Sequence, residues 1–260
     1  MTIHADPLHA AGVPDLSPVR PELATPGQPL LFATVSGAHL YGFPSRDSDV
    51  DLRGVHLLPL ADLIGLREGE ETRTRMWNRE GLELDLVTHD LLKFCRLMLR
   101  RNGYVLEQLL SPLVVHTSEV HRELAALAPA AVTRQHGHHY RGFAATQWRL
   151  YERNGELKPL LYTFRALLTG IQLMRGGGVE AHLPTLLDRI TAPAYLPELI
   201  EAKALAEHGP ATGMGIAHVA RDVETLHAAL DEAQAASRLP EESTAHDALH
   251  DLAVRTRTAA

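Results

Sequence analysis

The sequence predicts an α+β fold, with a sheet-bearing unit at about residues 30–115 followed by an all-helical unit at about residues 116–236. Three observations carry this. Short apolar or alternating runs crowd the stretch before His89, as half-buried strands require. From His89 onward the apolar residues recur at helical spacing. Neither pattern covers the ends: five unevenly spaced prolines (Pro7, Pro14, Pro18, Pro21, Pro26) make residues 1–29 a loose, flexible arm, and residues 237–260 read as a polar, alanine-rich tail.

Each element has its own signal. "PLLFATVSG" is a short apolar run closed by glycine, which predicts a buried strand from Leu30 to Ser36. "AHLYGFPSRDS" follows as a loop or a helical turn, and "DVDLRGVHLLP" alternates as a second strand. "ETRTRMWN" gives a third. After a turn at Gly81, "LELDLVTH" places Leu82, Leu84 and Leu86 on one face and Glu83, Asp85 and Val87 on the other. Residues 89–111 form one or two helices, broken near Asn102–Gly103. Further helices fall at about 119–128, 134–153, 157–175, 181–190, 195–208 and 216–236. "RGGG" from Arg175 to Gly178 reads as a helix stop.

Bulk composition bounds the function. A chain of 260 residues, 45% hydrophobic and 22% charged, is ordinary for a soluble protein of one large or two modest domains. A formal net charge of −7 excludes a surface basic everywhere, though not a local basic face. Cys95 is the sole cysteine, which excludes an intrachain disulfide and fits a reducing compartment. The absence of a secretory segment or an 18-residue apolar run predicts a cytoplasmic protein with no membrane partner.

The chemistry concentrates in "SRDSDVDLRG". On a strand, Asp49 and Asp51 share one side with Val50 buried behind them, and close carboxylates suit a hard divalent cation. Asp85 is isolated among leucines on another strand. If the strands are neighbours, all three carboxylates can hold one or two Mg²⁺ or Mn²⁺ ions. One ion grips a triphosphate; the other lowers the pKa of an attacking hydroxyl. D-x-D alone is equally the mark of a solvated turn. Two features single this one out: it follows a glycine-bearing loop after a strand, and it leads an apolar strand. By parity Arg53 faces the side of Asp49 and Asp51, where it neutralises them, touches a phosphate or makes a structural ion pair. Asp47 falls outside the strand, as a capping or solvated residue.

A second concentration lies between Arg134 and Arg175. Seven basic residues, among them Arg149, Lys158 and Arg165, face only Glu152 and Glu156, with Tyr140, Trp148, Tyr151 and Tyr162 interleaved. Lys158, Tyr162 and Arg165 share one helix face, suited to a triphosphate or a nucleic-acid backbone. The alternative is a solvated face with its rings in the core.

"SGAHLYGFPSRDSDVDLRGV", residues 36–55, resembles the signature of the DNA polymerase beta superfamily of nucleotidyltransferases. More narrowly, it resembles the RNA-repair-associated group found beside RNA ligases. "LELDLVTHDLLKFCRLMLRRNGYVLEQLLSP" resembles that group's third-aspartate strand and following helix, and the likeness continues more weakly to about residue 180. The resemblance implies a polymerase-beta-like nucleotidyltransferase domain, with a small mixed sheet and helices, and then a helical domain. It implies that Asp49, Asp51 and Asp85 are the metal carboxylates and that Gly37 and its neighbours, Ser36, Ala38 and His39, cradle phosphates. The reaction implied is transfer of a nucleoside monophosphate from an NTP to a hydroxyl, on RNA or another nucleic-acid end, releasing pyrophosphate. An RNA ligase is the implied working partner. The chain departs from the pattern at Ala38, where the group has serine, and at His39, where arginine is frequent; Ser36 or Ser48 can supply the missing hydroxyl. Two other functions stay open: nucleotidylation of a small molecule or protein, and a non-catalytic nucleotide- or nucleic-acid-binding module.

Overall fold

The computed structural model describes residues 6–24, 28–46, 48–66, 69–205 and 215–259. In chain order the helices are α1 (Pro7–Ala10), α2 (Gly37–Tyr41), α3 (Leu60–Ile64), α4 (Leu91–Met98), α5 (Gly103–Leu109), α6 (Glu119–Ala131), α7 (His136–Asn154), α8 (Leu157–Gly176), α9 (Leu183–Leu187), α10 (Leu196–Leu205), α11 (Ile216–Ala235) and α12 (His246–Thr258). The strands are β1 (Leu30–Val35), β2 (Val50–His56), β3 (Thr72–Arg79), β4 (Leu82–Asp90) and β5 (Val114–His116). The four strands expected are present; β5, three residues long, is too short for a period to show.

The fold is α+β, and its backbone divides into two compact units. The first takes the chain up to Leu40, then Asp49–Ala131, then Ser243 onward; the second takes Tyr41–Ser48 and Val132–Glu242. The division thus falls sixteen residues later than the sequence suggests, because α6 packs on the sheet unit.

In the first unit the strand order is β3-β4-β2-β1-β5. β2 and β4 run parallel, and the other pairs are antiparallel, so the sheet is mixed. β1 is buried from Leu31 to Val35 and apolar but for Thr34, whose hydroxyl donates to the Gln108 carbonyl at 2.7 Å. β3 lies at an edge and carries Arg73, Arg75 and Arg79, charges that discourage pairing with another chain. Along β4, Leu84, Leu86, Thr88 and Asp90 are buried, while Asp85, Val87 and His89 are partly open.

Both ends of the chain differ from expectation. The arm packs: Leu8, Val13, Leu16, Val19 and Leu23 are buried, and Glu22 pairs with Arg75 and Arg79 on β3. The tail folds as α12 within the first unit. Its inner face is Leu249, Leu252, Ala253 and Arg257, a stripe made faint by a small residue and a charged one. Arg257 is buried against Asp90.

The second unit is built around α8, where fifteen of twenty residues are buried. α7, α9, α10 and α11 all pack on it. α8 ends at Gly177, whose φ of 71° is the left-handed cap that glycine adopts without strain, so "RGGG" is the stop the sequence suggests. No helix among the described residues is long and apolar enough to cross a membrane.

Candidate active site

The parallel pairing of β2 with β4 sets the site. Its register places Asp51 directly beside Asp85, and Arg53 beside Val87. The isolated aspartate of the leucine-rich strand therefore meets the D-x-D strand, as the adjacency argument requires.

Arg53 lies between the two carboxylates. One terminal nitrogen donates to Asp51 Oδ1 at 2.6 Å and to Asp85 Oδ2 at 3.0 Å. The other donates to the main-chain carbonyls of Leu52 and Asp85, each at 2.9 Å. Nε reaches the Tyr104 hydroxyl at 3.4 Å. Burial opposes the guanidinium's charge, but Tyr104, Asp51 and Asp85 outweigh it and hold its pKa above the ordinary arginine value. The three side chains are 12%, 23% and 19% exposed for Arg53, Asp51 and Asp85, so the cluster is mostly buried but reaches solvent. Asp85 Oδ1 is buried with no hydrogen-bond partner among the described residues.

Gly37 closes the other side. Its φ is 62°, and a Cβ there would lie 1.9 Å from Asp51 Oδ2. Both the backbone and the carboxylate demand glycine. The amide of Ser36 also donates to the Asp51 carbonyl at 2.8 Å. Signature glycine and signature aspartate thus form one packed unit.

The remaining candidates divide. Asp49 stands one residue before β2, half-buried. Among the described residues no three His, Cys, Asp or Glu side chains are grouped to hold a metal, and the Arg53 guanidinium bridges two of the three candidate carboxylates, Asp51 and Asp85. Ser36 is fully buried and its hydroxyl has no partner among the described residues. Ala38 and His39 are buried too, at the start of α2. Asp47 lies outside the described residues.

Within the second unit, the Ser48 hydroxyl bonds Ser45 at 2.9 Å. Arg149 is exposed and folds back on its own helix, donating to the Ala145 carbonyl at 3.1 Å. Lys158 and Tyr162 are half-buried. Arg165 is a correction to the expected open basic face: it is only 2% exposed, and its guanidinium lies 3.9 Å above the centre of the Tyr41 ring. It is a core cation boxed by aromatic rings. The local excess of positive charge is also reduced by acids distant in sequence, since Arg134 pairs with Glu241 and Arg141 with Asp231. Tyr140 and Tyr151 are buried in the core.

Sequence reasoning passed over Tyr104, Asp90, Arg257 and Lys203. Tyr104 follows the Asn102 cap that begins α5, a start signal that marks the helix but not the ring's target. Lys203 is 1% exposed and donates to Ser45 Oγ at 3.2 Å; a lone lysine in "LIEAKAL" is its only trace in the sequence.

The chain is 32% identical over 153 residues to the uncharacterized protein MJ0002 of Methanocaldococcus jannaschii, covering 56% of this chain and 61% of that protein's length. Among solved structures, a nucleotidyltransferase-like protein from Exiguobacterium sibiricum aligns over 84% of this chain and 72% of its own, with 10% identity and a TM-score of 0.32. Residues 15–255 match the family described as the RNA repair pathway DNA polymerase beta family, RlaP. The chain belongs to that family.

Proposed function

We propose that this protein is a metal-dependent nucleotidyltransferase that moves a nucleoside monophosphate from an NTP to a hydroxyl at an RNA or other nucleic-acid end, with release of pyrophosphate, in the cytoplasm. The observation that carries it is the register of β2 and β4, which sets Asp51 beside Asp85 with Gly37 packed on Asp51. The family supports the reaction class and the nucleic-acid setting. A working RNA ligase partner follows from the sequence resemblance alone.

The donor set fits Mg²⁺ or Mn²⁺: hard carboxylate oxygens, one of them, Asp85 Oδ1, buried and unpartnered among the described residues. Asp49, Asp51 and Asp85 would hold the ion, which when bound supplies Lewis-acid stabilisation of phosphoryl charge and an acidified hydroxyl. The chain's own part is to fix the two in-register carboxylates on the sheet and to keep Arg53 charged between them. Lys158 and Arg149, outside the core, are the basic residues of the second unit suited to phosphate.

Pyrophosphate release from each NTP, with and without RNA, DNA or small alcohols as acceptor, tests this. Asp51→Asn should reduce release by about three orders of magnitude or more, since metal-held charge contributes several kcal/mol and each 1.36 kcal/mol is tenfold. Near-full turnover in Asp51→Asn would refute the assignment. Two observations favour a second reading: Ala38 and the Arg53 bridge suit a module that binds nucleotide without turning it over. Nucleotide binding with no release on any acceptor would select it. Release on small alcohols or protein but never on nucleic acid would select a different acceptor.

A further inference from the structure

We propose that the open face of β3, centred on Met76, is the platform on which the terminal nucleoside of a nucleic-acid acceptor stacks its base. This rests on the reading above, which locates phosphoryl transfer at the Asp51–Asp85 pair.

The sheet order and its registers lay four groups out in a row. Gly37, just after β1, packs on Asp51. Asp51 is paired with Asp85 across β2 and β4, and Asp85 with Met76 across β4 and β3. Directly paired residues of neighbouring strands project from the same face, so the Met76 thioether stands on the side that carries both carboxylates. Neighbouring strands lie about 4.8 Å apart, which sets Met76 one strand beyond Asp85 and two beyond Asp51. Phosphates belong at the glycine end of this row, by the role the sequence resemblance gives Gly37. The attacking hydroxyl then comes to the Asp85 end, and the base on its sugar reaches over the next strand.

Packing does not account for Met76. It is 76% exposed, and among the described residues it is the sole exposed large hydrophobic residue on a strand. Its neighbours on the same face, Thr74 and Asn78, are short, polar and exposed, so nothing beside it covers it. The other face of β3 is in use. Arg75 lies over the Trp77 ring at 4.4 Å, and Arg75 and Arg79 meet Glu22 of the N-terminal segment. The chain thus covers one side of its edge strand and leaves bare the side continuous with the carboxylates. Methionine suits a base, because a long, unbranched, polarisable thioether lies against an aromatic ring. Such stacking accepts every base, since each has a π-face. A small alcohol offers no ring, so the platform favours a nucleic-acid end among the acceptors left open above.

Titrating the intact protein, in Mg²⁺, into single-stranded oligonucleotides that carry a fluorescent purine at one end or the other tests this. Wild type should quench the label at one of the ends. Met76→Ala should weaken that binding about tenfold and leave NTP affinity unchanged. Met76→Leu should restore most of it, and Val254→Ala, which trims an exposed hydrophobic residue on α12, should change nothing. In pyrophosphate release, Met76→Ala should raise the KM for oligonucleotide by a similar factor and not the KM for NTP. Unchanged oligonucleotide binding in folded Met76→Ala would overturn the proposal. So would a loss that falls on NTP instead, which would give Met76 to the incoming base. Release on small alcohols or protein but never on nucleic acid would overturn it and leave the nucleotidyltransferase reading intact. Met76-dependent binding of a nucleic-acid end, with no release on any acceptor, would uphold the platform and sink the transferase reading. Should Met76→Ala fail to fold, Met76→Gln, of the same length with a polar end, reads the same loss.

Discussion

The first unit contains two arginine–aspartate arrangements on the same strand, β4, and they are built differently. At its end, Arg257 meets both oxygens of Asp90 at 2.5 Å. Those oxygens also accept the Leu58 amide at 3.0 Å and the Leu92 amide at 2.8 Å, and the pair is sealed, with side chains 6% and 0% exposed. Five residues earlier, Arg53 bridges Asp51 and Asp85, but that cluster is about a fifth open and Asp85 keeps an oxygen unpartnered among the described residues. The Asp90 carboxylate is saturated and dry, so it has nothing left to give a ligand. The Asp51–Asp85 cluster is partly exposed, and one Asp85 oxygen, itself buried, has no hydrogen-bond partner among the described residues. Ion pairs of the same composition thus differ in saturation and access.

The largest effect that distinguishes them is on folding. Arg257→Ala strands the Asp90 carboxylate in the interior, and breaking a buried pair in this way costs about 3–5 kcal/mol. Urea denaturation should show that loss. Combining Arg257→Met with Asp90→Asn should recover much of it, since asparagine still caps α4 and no buried charge remains. A cost for Arg257→Ala under about 1 kcal/mol would place the pair with ordinary surface bridges and erase the contrast.

Acid should open the sealed end through a neighbouring histidine. His56 is the register partner of Asp90, is buried, and bonds Thr88 Oγ1 at 2.9 Å. Burial, with Arg73 and His89 adding to it and Asp90 opposing, lowers its pKa from 6.5 to about 4. Between these values the unfolded chain binds a proton that the folded chain does not. The stability is therefore complete above about pH 6.5 and is lost as pH falls toward about 4, by at most about 1.4 kcal/mol per pH unit. His56→Asn should flatten that part of the pH profile of the urea midpoint. An unchanged slope would show that the imidazole titrates freely.

Much of this was legible in residue order, for reasons that differ by element. Period-two alternation disclosed β4 and the outward aspect of Asp85, because one face of the strand is packed and the other is not. The adjacency of Asp51 and Asp85 was conditional on topology, which alternation cannot supply; the parallel register settled it. The role of Arg53 was open in the sequence because parity gives a side and not a partner. Arg165 was misplaced by a similar shortfall: helical spacing groups it with Lys158, yet the ring of Tyr41, more than a hundred residues away, decides its burial. α12 escaped because an inward face of leucine, alanine and arginine has little hydrophobic contrast. Tertiary charge pairing across long separations, as in Arg257–Asp90, leaves no local mark at all.

The smallest expected effect is the stability change of Asp51→Asn, and it bears most directly on the contrast. Asparagine keeps an oxygen that can accept from Arg53, and Arg53 retains Asp85 and its two main-chain acceptors. The substitution also removes one of two carboxylates that face each other across the register. Lost attraction to the guanidinium and relieved repulsion between the acids have opposite signs, and both are weakened by the partial exposure of the cluster. The net change should stay within about 1 kcal/mol, read as a shift of only a few degrees in melting temperature in EDTA. A loss of about 3 kcal/mol or more would make Asp51 a structural tie like Asp90, and the fall in pyrophosphate release expected of the same variant would then report unfolding rather than a missing ligand.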